Sequence, residues 1–239
     1  MLQKNHKHEL FLVLMVSLGA SAIYSALSLW RKLISTEGLA GSVTTINRPL
    51  AADPWLDLAS QLSGILLSLV PVLLALYFLR QDGVSLGLIP KWKDLWHAVL
   101  LAASIGIPGL GLYYLALELG LTSVIVPSSL GEYLWSIPIL LLAALRAGLQ
   151  EEIIAVGFLT RKLQQISPAL TVVILILISA TFRASYHLYQ GPSAFFGNFV
   201  MGLVFAWYFH KTSRVAPLVI AHTLMNSVVF VGYPLVGSA

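Results

Sequence analysis

The sequence predicts an all-α fold, a polytopic transmembrane helix bundle forming a single membrane domain over residues 1–239. Three observations predict it. Hydrophobic residues make up 58% of the 239-residue chain and charged residues only 10%, where a soluble domain carries about 25% charged residues; the mean hydropathy is +0.86. Apolar stretches of about 20 residues recur along the chain, each long enough to cross a bilayer as a helix. The few polar groups inside those stretches gather in the C-terminal half of the chain.

The stretches fall at roughly 9–30, 58–79, 95–118, 132–160, 168–187, 194–210 and 215–232, which reads as seven spans. The first begins "MLQKNHKHELFLVLMVSLGASA", signal-peptide-like in its basic start and small residues. The apolar run continues to Trp30, so it reads as an uncleaved span. Residues 31–57, rich in Gly, Ser, Thr and Asn with Pro49 and Pro54, read as a loop with a short interfacial piece at Trp55. The fourth stretch is long enough to predict a tilt or a break near Pro138, with an eighth segment if it splits.

Lys and Arg orient the bundle. With the N-terminus inside, Lys4, Lys7, Arg80, Lys91, Lys93, Arg161, Lys162, Lys211 and Arg214 lie inside, and Arg31, Lys32 and Arg48 outside, nine against three. The expectation is an integral, multi-pass plasma-membrane protein with a cytoplasmic N-terminus. Arg146 and Arg183 fall within spans and are not counted. The net charge of +4 comes from helix ends; no basic patch interleaved with aromatics suggests a nucleic-acid partner. Cysteine is absent, which removes disulfides, thiolate nucleophiles and thiolate metal ligands.

Polar residues inside a bilayer are expensive and usually functional. They are Glu151 and Glu152 in span four, Arg183 and His187 in span five, Asn198 in span six, and His222 and Asn226 in span seven. His222 and Asn226, and likewise Arg183 and His187, are four apart and share a helix face. Glu151 and Glu152 diverge by about 100°, so only one can point squarely into a shared cavity. Counted from the chain's turns, Glu151 and Asn226 lie about 15 and 18 Å along their helices, but His187 about 28 Å along its own. Those depths agree only if span five is strongly tilted or begins outside the bilayer. Asn198, Gly197, Gly202 and Ala206 read as packing residues, and Arg146 as a snorkelling or structurally paired one.

A carboxylate shielded from bulk water can act as a general base, an imidazole can help orient the attacking water, and His and Asn can donate to an oxyanion. Hydrolysis of an amide by activated water fits this set best. Two His and two Glu would also suffice for zinc, but HExxH is absent and Asn is a poor zinc ligand. A resident metal is therefore disfavoured and no other cofactor is implied.

Glu-Glu, then a His-bearing motif, then His-x-x-x-Asn, in order on membrane helices, resembles the CPBP family. These are the CAAX proteases and bacteriocin-processing (Abi) proteins, which include the Ras-converting CAAX endopeptidase. The resemblance covers about residues 131–232, and "SYHLYQG" and "GNFVMGLVF" look like a bacterial branch. It implies a cavity among the four C-terminal spans and an intramembrane endopeptidase acting on a membrane-tethered or lipidated, CAAX-like substrate. It also implies Glu151 as general base, His187 sharing the water, His222 and Asn226 at the oxyanion, and Glu152 in support. The family motif places Arg at 156, where this chain has Val156, and Phe at 183, where it has Arg183. Arg183 is expected to supply the missing charge to Glu152 or Glu151. Two other readings remain open: a catalytically inactive relative acting as an immunity or scaffold protein, and a proton-coupled transporter.

Overall fold

The structure, a computed structural model, describes residues 5–232; Lys4 of the charge tally lies outside them. Helices form where the apolar stretches lie: α1 (His6–Met15), α2 (Leu18–Leu33), α3 (Pro54–Ser68), α4 (Val70–Gln81), α5 (Trp92–Glu118), α6 (Ser136–Glu151), α7 (Leu159–Ile166), α8 (Val172–Ser185), α9 (Pro192–Thr212) and α10 (Ala216–Ser227). The fold is helical, as the composition demands.

Fewer of these helices qualify as spans than the seven expected. Among the described residues, Pro54–Gln81, Trp92–Glu118 and Pro192–Thr212 are long and apolar enough to cross a membrane; α1 with α2 makes a fourth if the pair is one span. That pair is bent by 48°, at a break where the Ser17 hydroxyl donates to the Val13 carbonyl at 2.5 Å. Such backbone-directed bonds bend helices. Val172–Ser185 and Ala216–Gly232 are shorter apolar helices, and α6 has 16 residues.

The break expected near Pro138 is absent. Pro138 sits in the first turn of α6, where proline is tolerated. The irregularity comes later, as a π-helical segment over Glu152–Phe158 that runs directly into α7. Wide turns of this kind are rare and often mark functional sites. All seven of its residues are buried, and the Ser179 hydroxyl of α8 donates to its Ala155 carbonyl at 2.7 Å.

Residues 31–57 are not simply a loop. Val43–Asn47 forms strand β1, paired parallel with β2 (Val124–Ser128) in the register Val43 to Val124 and Asn47 to Ser128. Both segments contain β-branched residues, which suit strands. Trp55 lies in the first turn of α3, which begins at Pro54 and is capped by Asp53.

Contacts sort the helix ends into two groups. At one end Lys162 of α7 bonds Glu9 of α1 and Asp82 after α4, while Arg214 before α10 bonds Asp94 of α5. At the other, the Lys32 ammonium joins Thr44 of β1 (2.5 Å), Ser123 (3.2 Å) and the Tyr189 carbonyl (2.6 Å). The strand pair therefore sits over the turn that follows α8.

Candidate active site

Glu151 ends α6 and Glu152 opens the π-helical segment. Both meet Arg183, which is completely buried on α8. Arg183 Nη2 donates to Glu152 Oε1 at 2.5 Å, and Nη1 lies 3.3 Å from Glu151 Oε2. A guanidinium with two forked nitrogens can serve two carboxylates that diverge around a helix. The divergence persists in their exposure: the Glu152 side chain is 0% exposed and that of Glu151 12%.

The other contacts differ by glutamate. His222 Nδ1 lies 2.6 Å from Glu152 Oε1. A carboxylate only accepts, so Nδ1 is the donor and Nε2 is left for another partner. Glu151 Oε2 also accepts from the Tyr186 hydroxyl at 3.0 Å and lies 3.5 Å from His187 Nε2. Three groups thus crowd one oxygen of Glu151, and every side-chain hydrogen bond to Glu151 among the described residues falls on that oxygen, not on Oε1.

Close backbone packing makes this arrangement possible. A Cβ on Gly148 would lie 2.7 Å from Thr223 Oγ1 and 2.9 Å from the Val219 carbonyl, so only glycine lets α10 carry His222 up to α6. A Cβ on Gly202 of α9 would lie 2.7 Å from Ala180 Cα and 3.3 Å from Arg183 Cδ. Beside that glycine the guanidinium packs 5.5 Å from the Phe205 ring centroid.

His187 reaches the site by a route the periodicity did not predict. Helix α8 ends at Ser185, so His187 lies beyond it, just before a 3-10 turn at Leu188–Gln190. It shares no helix face with Arg183. Its expected excess depth shrinks because α8 begins at Val172, after Pro168, and spans about 21 Å. The turn is pinned by the Tyr189 N–H to Ser25 (2.7 Å), by Thr122 to the Gln190 carbonyl (3.0 Å), and by Lys32. It closes on Gly191 at φ 123°, where a Cβ would lie 3.1 Å from Thr122 Cα.

Of the residues singled out from the sequence, Glu151, Glu152, Arg183, His187 and His222 thus form one connected cluster. Asn226 is half-buried one turn beyond His222 and makes no side-chain hydrogen bond among the described residues. Asn198 bonds the Ala194 carbonyl of its own helix at 2.9 Å, so it does not bridge helices. Arg146 pairs with Gln150 at 3.2 Å. Tyr186 was missed; its only sequence signal is its place beside His187. Val156 is fully buried in the core, so packing fills the position where the resembled motif carries arginine.

The His, Asp and Glu ligand atoms that gather within 4.8 Å of one another, among the described residues, belong to His6, Glu9 and Asp82. The Lys162 ammonium already contacts all three. The set around Glu151 does not form such a group.

The family model described as type II CAAX prenyl endopeptidase, Rce1-like, matches residues 133–228. The family anticipated from the motifs is the one whose model matches, and the matched segment contains every member of the cluster. No curated protein and no solved structure matches the chain.

Proposed function

We propose that the chain is a membrane endopeptidase that hydrolyses a peptide bond of a membrane-tethered or lipidated, CAAX-like substrate with glutamate-activated water. The supporting observation is the single cluster joining Glu151, His187, Glu152 and His222, inside the segment that matches a CAAX endopeptidase family. A metal is not required by this chemistry.

In this reading a water lies between Glu151 and His187. Arg183, Tyr186 and His187 hold Oε2 of Glu151, so Oε1 takes the water's proton. The hydroxide oxygen bonds to the scissile carbonyl carbon and the carbonyl π electrons move to oxygen. That oxyanion accepts hydrogen bonds from His222 Nε2, in the imidazolium form, and from the Asn226 amide. Collapse of the tetrahedral intermediate breaks the C–N bond, and the leaving amine takes the proton back from Glu151. Glu152 orients His222 through Nδ1 and shares Arg183 with Glu151. The basic end of the bundle faces the cytoplasm.

The test is cleavage of a fluorogenic lipidated peptide by purified protein. Glu151→Gln keeps the shape but removes the base, so turnover should fall by roughly 10²–10⁴-fold. Activity should survive chelation. Unchanged cleavage by Glu151→Gln sinks the assignment, and loss on chelation restores a metal mechanism. Cleavage by neither protein favours the inactive relative.

A further inference from the structure

The basic end of the bundle holds a second polar feature, which shares no residue with the glutamate cluster. A cavity of about 460 Å³ opens between the turn after α4, helix α7 and the turn joining α9 to α10, lined by Val84, Ser85, Arg161, Gln164, Gln165 and Ser213. Its lining contains one cation and no carboxylate. The neighbouring acids are committed elsewhere: Glu9 and Asp82 to Lys162, and Asp94 to Arg214.

Arg161 is left without an anion among the described residues. Its Nη2 donates to the Ser213 hydroxyl at 2.7 Å and its guanidinium lies 5.1 Å from the Phe209 ring centroid, which fixes the group in place. Its Nε is buried without a partner, and so is Oε1 of Gln165, one turn along the same helix. Burial holds the guanidinium below its ordinary range, and no carboxylate offsets this.

The backbone around the cavity is also unusual. Ser213 has φ 51°, the only non-glycine residue with positive φ among the described residues. Ser213 is the C-cap of α9, where a left-handed residue commonly ends a helix and glycine is the usual occupant, so serine there carries some strain. Gly87 supports it: a Cβ there would lie 3.0 Å from the Ser213 carbonyl oxygen. The strained residue is the one whose hydroxyl holds Arg161.

We propose that this cavity binds a phosphate group, carried by an anionic phospholipid headgroup or by a free phosphate ester. Arg161 supplies the charge and the fork of donors that a phosphate accepts. The hydroxyls of Ser85 and Ser213 and the amides of Gln164 and Gln165 supply neutral donors. A rotation of the Gln165 amide exchanges its unpartnered oxygen for its NH₂. The cavity lies at the end of the bundle where lysines and arginines gather, the level at which headgroup phosphates run. Nothing in this proposal depends on the peptidase reading.

The test is thermal unfolding of the full chain in neutral maltoside detergent at fixed ionic strength. Dioleoyl phosphatidylglycerol, dioleoyl phosphatidylcholine and inorganic phosphate are titrated separately. Wild type should be stabilised by phosphatidylglycerol more than by phosphatidylcholine; a parallel response to inorganic phosphate assigns the site to free phosphate as well. Arg161→Gln should weaken the response about tenfold or more, the worth of a charge-assisted hydrogen bond. Gln165→Glu places an internal carboxylate four residues from Arg161. It should raise the unfolding midpoint without ligand and abolish the response, an outcome that misfolding cannot imitate. The proposal is overturned if neither phosphatidylglycerol nor phosphate stabilises wild type. An equal response from wild type and both variants overturns it too.

Discussion

Arg183 shows what a single residue does here. A fully buried guanidinium is tolerable only with anions beside it, and Glu151 and Glu152 are tolerable only with a cation. The sequence pointed to this exchange, since an arginine is absent at Val156 and another is present at 183. Replacing Arg183 with Met removes the shared cation and leaves Glu152 buried against His222 alone. Breaking a buried pair in this way costs about 3–5 kcal/mol. The thermal midpoint of purified Arg183→Met should therefore fall sharply. Adding Glu152→Gln removes the uncompensated charge and should recover much of the loss, a coupling read by a double-mutant cycle. Additive losses would show that Arg183 acts through packing against Gly202 and Phe205 instead. Tyr186 was not legible, because a tyrosine beside a histidine carries no periodic signal. Only the end of α8 at Ser185 swings its hydroxyl onto Glu151.

At the scale of elements, helix positions were legible because bilayer-length apolar runs can satisfy their backbones in few other ways. The departures all arise from local backbone chemistry. The bend at Ser17, the π-helical turn at Glu152 and the early end of α8 each change helix geometry without changing hydropathy. Strand β1 lay hidden in a segment whose Gly, Ser and Asn outweighed the β-branched run at Val43–Asn47, and its partner β2 is a five-residue strand between two apolar stretches. The π-helical turn bears directly on the site, since it widens the helix where the two carboxylates part. The α6–α10 crossing at Gly148 fixes the other half of the cluster. Gly148→Val cannot be absorbed there, because the close atoms include backbone of α10. Overpacking of this kind costs about 1–3 kcal/mol, and shifting α10 breaks the 2.6 Å contact of His222 with Glu152. Cleavage activity should fall further than stability does. Gly64→Ala on α3, where a Cβ meets nothing within 4 Å, should leave both unchanged. Equal behaviour of the two variants would remove Gly148 from any role in placing His222.

The whole molecule poses the question of orientation, for which its charge and aromatic distribution set one expectation. Arg80, Lys93, Arg161, Lys162 and Lys211 crowd the end where α4, α7 and α9 stop and α5 begins. Trp92 and Trp96 stand exposed at that same end. At the opposite end Trp55 and Tyr133 lie against Trp135, with ring centroids 4.8 and 5.1 Å apart. Aromatic groups at both ends of an apolar bundle match the two interfaces of a bilayer, and the positive-inside rule predicts that the lysine and arginine excess marks the cytoplasmic one. The absence of cysteine makes the orientation directly measurable, since any thiol introduced is the only one present. Ala169→Cys lies exposed between α7 and α8 at the basic end, and Glu132→Cys lies exposed before α6 at the other. In intact cells a membrane-impermeant maleimide should label the cysteine at 132 and spare the one at 169, while permeabilised cells should label both. The reverse pattern would put the Arg161 cavity on the external face and reject the cytoplasmic assignment of the N-terminus. The cluster around Glu151 and Arg183 would survive either result, because contacts within the bundle build it and orientation leaves those contacts unchanged.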